Sequence, residues 1–198
     1  MEVLIIFCKP LIPGTVKTRL AKDIGPEKAC AVYRQLCEHT RKVALEWGGK
    51  VAVFHHSQPE ETQLWEQAHW NQQLQSGSDL GERMYHAFAW AFAQGAKKVC
   101  VIGSDLASLQ VSDLQEAFQA LSEKVVVWGP ATDGGYYLLG LQELEPLLFS
   151  DLPWSQPALL QRSQQRLPNH QHHCLRTQND IDTLADLKAH PDWNLMGI

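Results

Sequence analysis

The sequence predicts an α/β protein, a three-layer sandwich in which helices cover both faces of a mostly parallel central sheet. Three observations carry this prediction. Apolar runs of strand length alternate with longer segments of helical period along the chain. The composition, 44% hydrophobic and 20% charged, is that of an ordinary globular protein and excludes disorder, collagen and a simple coiled coil. The length, 198 residues, suits one domain spanning 1–198 with enough buried surface for a sizeable core.

The elements follow in order. EVLIIF (2–7) reads as the first buried strand, and a Pro- and Gly-punctuated loop, CKPLIPGTVKTR, comes next. Pro26 suits a first helical position, and Ala29, Val32, Leu36, Val43 and Trp47 then fall near one helical face. KVAVFH (50–55) is the second strand, and the Gln- and Glu-rich stretch from Ser57 to Gln75 reads as a polar surface helix and loop. A helix capped by Ser78 or Asp79 and ended by Gly95 buries Met84, Phe88, Ala91 and Phe92. The second half continues with a strand at 98–103, the helix VSDLQEAFQAL, and strands at 124–129 and 135–141. A helix near 157–167, a short strand near 172–176 and a helix over 183–190 complete it.

Charge narrows the partners. Residues 1–42 hold 8 of the 17 Lys and Arg against 4 acids, so a +4 segment sits on a −9 remainder and the net charge is −5. That distribution suits a small anionic ligand and disfavours extended nucleic acid, which needs a broad basic face. No apolar run approaches the ~18 residues of a membrane span, and an acid stands where a signal peptide needs positive charge, so a cytoplasmic location is expected. Five cysteines without a CxxC pair form neither a disulfide framework nor a zinc ribbon.

In an open parallel sheet, ligands bind beyond the carboxyl ends of the strands. Lys9, Lys17, Thr18 and Arg19 follow the first strand; Asp105, Asp133, Asp180 and Asp182 follow later ones. Cations on one loop meeting carboxylates on others suit a phosphate bound with Mg²⁺ or Mn²⁺, the carboxylate oxygens holding the metal. Plainer readings stand beside this one. IPGTVKT lacks the glycines of a Walker A loop, Asp105 or Asp182 could cap a helix, and DGG (133–135) could be only a turn. HQHHC offers His170, His172 and Cys174 on one strand face without a second ligand cluster, and neither GxGxxG nor GxSxG occurs.

Taken together, FCKPLIPGTVKTRLA, SDLGERMYHAF, VIGSDLASL, GPATDGGYYLLGL, LPWSQP and NDIDTLADL resemble the nucleotide-diphospho-sugar transferase superfamily, the Rossmann-like GT-A fold. The match is nearest to an uncharacterised bacterial branch, similar to the 2-phospholactate and molybdenum-cofactor guanylyltransferases. The resemblance implies that Lys9, Lys17, Thr18, Arg19 and Arg83 bind nucleotide and phosphate. It implies that Asp105 and Asp182, helped by Asp180, hold a divalent metal. Two departures stand out: the branch has Gly-Thr-Asp-x-Pro-Asp-Leu where this chain reads GSDLASL (103–109), and Trp-Ser-Thr where it reads Trp154, Ser155, Gln156.

The expected function is a metal-dependent transfer from a nucleoside triphosphate or sugar nucleotide to a small acceptor, as a nucleotidyl- or glycosyltransferase. Lys17 and Asp105 are the expected central groups, with Asp133 as the base toward an acceptor hydroxyl. The competing expectation is a non-catalytic nucleotide- or partner-binding module descended from such an enzyme.

Overall fold

The computed structural model describes residues 1–57, 64–168, 171–190 and 193. Its strands are β1 (Glu2–Cys8), β2 (Lys50–His55), β3 (Asn71–Leu74), β4 (Lys98–Ile102), β5 (Val126–Pro130), β6 (Tyr136–Leu141) and β7 (His172–Cys174). The helices are α1 (Thr18–Ile24), α2 (Pro26–Trp47), α3 (Leu80–Ala93), α4 (Val111–Ala120), α5 (Leu159–Gln164) and α6 (Leu184–Ala189). One seven-stranded sheet runs in the order β3-β2-β1-β4-β6-β5-β7. Only β6 is antiparallel, to both β4 and β5; the remaining neighbours are parallel.

The consecutive apolar residues of the strands feed two cores. Leu4, Ile6 and Cys8 of β1 pack with Tyr33, Cys37 and Val43 of α2 and with Leu114, Ala117 and Phe118 of α4. Val3 and Ile5 point the other way, to Met84, Ala87, Phe88 and Ala91 of α3. Successive side chains of a strand alternate between faces, so a strand covered on both sides must be apolar throughout. The three-layer expectation follows from that periodicity and holds.

Two segments depart from the expectation. The loop after β1 ends sooner than its punctuation suggests: Thr18 and Arg19 already belong to α1, whose Leu20 is buried with Ala29, Val32 and Leu36 of α2 and Ile181 and Leu187 near α6. Within 57–75, where a polar helix and loop are expected, Asn71–Leu74 forms the edge strand β3. Its residues are largely exposed, so no apolar run marks it; backbone pairing to β2 makes it a strand. Residues 58–63 of that stretch lie outside the described residues. Among the described residues no helix is long and apolar enough to cross a membrane.

Candidate functional site

From β1 the chain crosses to β2 on one side and later returns to β4 on the other, which opens a crevice at the carboxyl edge of the sheet. A cavity of about 690 Å³ lies there, within the usual range for small-molecule sites. Lys9, Lys17, Thr18, Arg19, Arg83, Asp105, Asp133, Asp180 and Asp182 all line it. These nine residues thus reach one cavity from five separate chain segments.

Lys17 is its floor. Its backbone is left-handed, at φ 48° and ψ 44°, a conformation uncommon for any residue but glycine. Val16 and Leu20 are buried on either side and hold that turn in place. The Lys17 Nζ donates to Asp105 Oδ2 at 3.0 Å and to Asp182 Oδ1 at 2.9 Å. Its side chain is only 3% exposed, whereas those of Asp105 and Asp182 are 38% and 45% exposed. Burial works against the charged ammonium, but the two carboxylates outweigh it and raise its pKa above the ordinary lysine value. Arg19 Nη1 approaches the second oxygen of Asp182 at 3.7 Å.

Asp180 and Asp182 flank Ile181, which is fully buried and fixes both acids at the cavity. Burial, reinforced by the charges of Asp105, Asp182 and Asp133 and opposed by Lys17, pushes the Asp180 carboxyl up to about 8.

The capping alternatives separate cleanly. Thr183, not Asp182, is the N-cap of α6: its Oγ1 accepts from the Asp186 amide at 3.3 Å, and Asp186 Oδ2 accepts from the Thr183 amide at 2.8 Å. Gln110 stands at the N-cap of α4, which leaves Asp105 free to meet Lys17. Asp133 does make the turn expected of DGG, accepting the Gly135 amide on Oδ1 at 2.9 Å, and it lines the cavity as well.

Sequence reasoning misses several wall residues. His56 follows β2 directly, and its Nδ1 accepts from Arg83 Nη1 at 2.8 Å while Arg83 Nε donates to the Gly77 carbonyl at 3.1 Å. Partial burial, with the charges of Arg83 and Lys9, lowers the His56 pKa. Gln75 and Tyr136 also line the cavity, as do Ser155 and Gln156, where the sequence departs from the similar branch. The strand-end rule that selects Asp105 also selects His56, directly after β2, and Ser104, after β4.

The departure at GSDLASL falls largely outside the cavity. Ser108, where the similar branch has its second Asp, donates from Oγ to Gln178 Oε1 at 2.6 Å. Its carbonyl accepts from Arg176, which also grips Asp113. Leu106, Ala107 and Leu109 are buried. At the HQHHC stretch, His173 Nε2 meets Glu116 at 2.8 Å, and His170 lies outside the described residues.

The carboxylates have the hard oxygen donors that Mg²⁺ or Mn²⁺ takes. As arranged, however, the space between Asp105 and Asp182 is held by the Lys17 ammonium. Among the described residues no group of three or more His, Cys, Asp or Glu is set to hold a metal.

Comparison with known proteins adds the relatives. A crystal structure from Desulfovibrio desulfuricans G20, described as a "putative nucleotide-diphospho-sugar transferase", is 27% identical, with a TM-score of 0.89 over 98% of this chain and 89% of that one. CMP:2-keto-3-deoxy-manno-octonic acid synthetase complexed with CTP superposes with a TM-score of 0.60 at 12% identity, over 95% of both chains. Glucosyl-3-phosphoglycerate synthase from Mycobacterium tuberculosis, with Mn²⁺, UDP and glucosyl-3-phosphoglycerate, gives 0.57 at 9% identity over 91% of this chain and 70% of that one. These likenesses establish the nucleotide-diphospho-sugar transferase fold expected from the sequence. No curated protein matches the sequence. A family model does match, over residues 38–156, and the chain belongs to that family, described as an uncharacterized protein conserved in bacteria (DUF2064).

Proposed function

We propose that the chain is a transferase, one domain over 1–198, that takes a phosphoric-anhydride nucleotide donor and passes a group to a small acceptor. The observation that carries this reading is the buried Lys17 ammonium between Asp105 and Asp182, on the floor of a cavity that brings Lys9, Arg19 and Arg83 together with four aspartates. Phosphate oxygens match the cations; an acceptor matches the acids. The cavity also has two ends. His56 and Arg83 belong to the β2 side and Asp133 to the β5–β6 turn, on opposite sides of β1 and β4. Relatives of the same fold are complexed with CTP, or with Mn²⁺ and UDP, which supports a nucleotide as the ligand.

Lys9, Lys17, Thr18, Arg19 and Arg83 would bind the donor phosphates and offset the charge that develops as the anhydride or ester bond breaks. Asp105, Asp180 and Asp182 would hold a divalent ion, which when bound would offset negative charge on the donor phosphates. With a nucleoside triphosphate, the acceptor oxygen bonds to the α-phosphorus and pyrophosphate leaves. With a sugar nucleotide, it bonds to the anomeric carbon and the nucleoside diphosphate leaves. A hydroxyl acceptor gives its proton to Asp133 in either case; a phosphate acceptor attacks with its own anionic oxygen. No protein nucleophile is required.

A panel of the four nucleoside triphosphates and common sugar nucleotides, each with Mg²⁺ and an acceptor pool, tests the reading by mass spectrometry of products. Formation of a nucleotidyl or glycosyl adduct, lost in Asp105→Asn, is the expected result. Nucleotide-induced stabilisation without turnover of any donor would favour the binding-module reading instead.

A further inference from the structure

Lys17 occupies the space between the Asp105 and Asp182 carboxylates. Asp105 Oδ2 and Asp182 Oδ1 both turn to its Nζ, at 3.0 and 2.9 Å, and the second oxygen of Asp182 turns to Arg19. The ammonium is buried beneath the pair while both carboxylates stay open to the cavity. A divalent ion binding these same oxygens at about 2.1 Å would lie against the ammonium and meet its repulsion. Cation and ammonium are therefore alternatives for the pair as it stands, and among the described residues no carboxylate group is arranged around a free metal position.

From this geometry we propose that Lys17 is an internal counter-ion that closes the Asp105–Asp182 pair to free divalent ions and releases it when donor phosphate arrives to take the ammonium. The inference rests on the reading above, in which the donor carries phosphate and these acids take a metal. A lysine suits such an exchange because its compact charge sits on a flexible stem with three donors, so the ammonium can trade carboxylate for phosphate oxygens by turning side-chain bonds. The left-handed backbone at Lys17 and its buried neighbours Val16 and Leu20 fix the root of that stem, leaving the movement to the side chain. Metal and phosphate then favour one another's binding, each removing an obstacle to the other, and the coupling is reciprocal. A metal ion alone finds the pair already engaged by the ammonium.

Mn²⁺ binding to the full chain, followed by the loss of the free-ion signal in electron paramagnetic resonance without nucleotide, tests this directly. The wild type should bind with a dissociation constant of about 1 mM or weaker, the weak end for carboxylate sites. Lys17→Met and Lys17→Gln, each checked for folding by circular dichroism, should bind Mn²⁺ about tenfold or more tightly than wild type. Adding Asp105→Asn to either should reverse the gain. Wild-type binding at micromolar Mn²⁺, with neither variant tighter, overturns the role of Lys17 and leaves the metal reading intact. Failure of both folded variants to bind Mn²⁺ overturns the inference together with the metal site.

Discussion

The Tyr33 hydroxyl lies 2.8 Å from Ser104 Oγ and accepts the Lys9 amide at 2.9 Å, so one side chain of α2 ties the exits of β1 and β4 together. Tyr33 and Ser104 are both buried, and both line the cavity. Because Tyr33 accepts from Lys9, its own proton is available to Ser104. Burial raises the Tyr33 pKa well above the ordinary tyrosine value, with Cys37 adding and the bonds to Ser104 and Lys9 opposing, so the hydroxyl remains protonated. Tyr33→Phe keeps the ring and deletes the hydroxyl. It should cost about 1–3 kcal/mol in urea denaturation, since it leaves a buried amide and hydroxyl without this partner. An unchanged midpoint would show that the tie contributes nothing.

Much of this site is legible because the acids stand directly beyond strands, where a parallel sheet collects its ligands. Asp105 after β4, Asp133 after β5 and Asp180 and Asp182 after β7 converge despite wide sequence separation. What escapes reading is hidden for two reasons. Edge strand β3 has polar, exposed residues, so Gln75 at its end has no strand signal to follow. The link between Lys17 and the acids is likewise invisible, because it depends on a left-handed residue at the start of a seven-residue helix. Nothing in TVKTRLA announces that turn. The choice of cap between Asp182 and Thr183 stays open in the sequence, and the capping box of Thr183 with Asp186 is what frees Asp182 from that duty.

Adjacent residues Asp182 and Thr183 should therefore respond differently to substitution. Thr183→Ala removes an N-cap and should destabilise by about 0.5–2 kcal/mol while leaving nucleotide affinity unchanged. Asp182→Asn takes one of two carboxylate partners from the buried Lys17 ammonium, which keeps Asp105, a cost of about 1–3 kcal/mol, but unlike Thr183→Ala it should reduce Mg²⁺-dependent turnover by about tenfold or more. Thermal melts and calorimetric titration on both variants check the division. The reverse pattern would return Asp182 to a structural role.

Asp113 supplies a pH dependence that lies outside the cavity. Burial pushes its carboxyl up, yet the paired bonds from Arg176, the Gln110 amide and Gln178 outweigh that and hold it below the ordinary value. A depressed folded pKa means the unfolded chain takes up the proton first. The stabilisation is present above the unfolded value of about 3.9 and disappears as pH falls through the folded value. Asp113→Asn should lose about 1.5–3 kcal/mol at pH 7, and its gap from wild type should narrow below about pH 4. Urea midpoints at pH 7, 5 and 3 read this out; a gap independent of pH would contradict the linkage.

Gly134 governs the other side of the site. Its φ is +89°, a left-handed conformation that L side chains rarely adopt, and a Cβ built there would lie 1.9 Å from the Pro157 carbonyl oxygen. Both partners of that clash are backbone, so no side chain can turn aside to relieve it. The turn and the segment after Trp154 also hold each other, because the Leu160 amide donates to the Gly134 carbonyl at 3.0 Å. Asp133 on the turn and Ser155 and Gln156 on the facing segment all line the cavity. Gly134→Ala must push the two apart. It combines backbone strain of about 1–3 kcal/mol with displacement of the proposed acceptor side. The expected result is a lower melting temperature together with a loss in acceptor KM or turnover that exceeds any loss in nucleotide affinity, because Lys9, Arg19 and Arg83 come from other segments. Calorimetry for nucleotide and product mass spectrometry for transfer separate the two. Equal losses in nucleotide binding and transfer would show that the turn supports the whole cavity instead of its acceptor side.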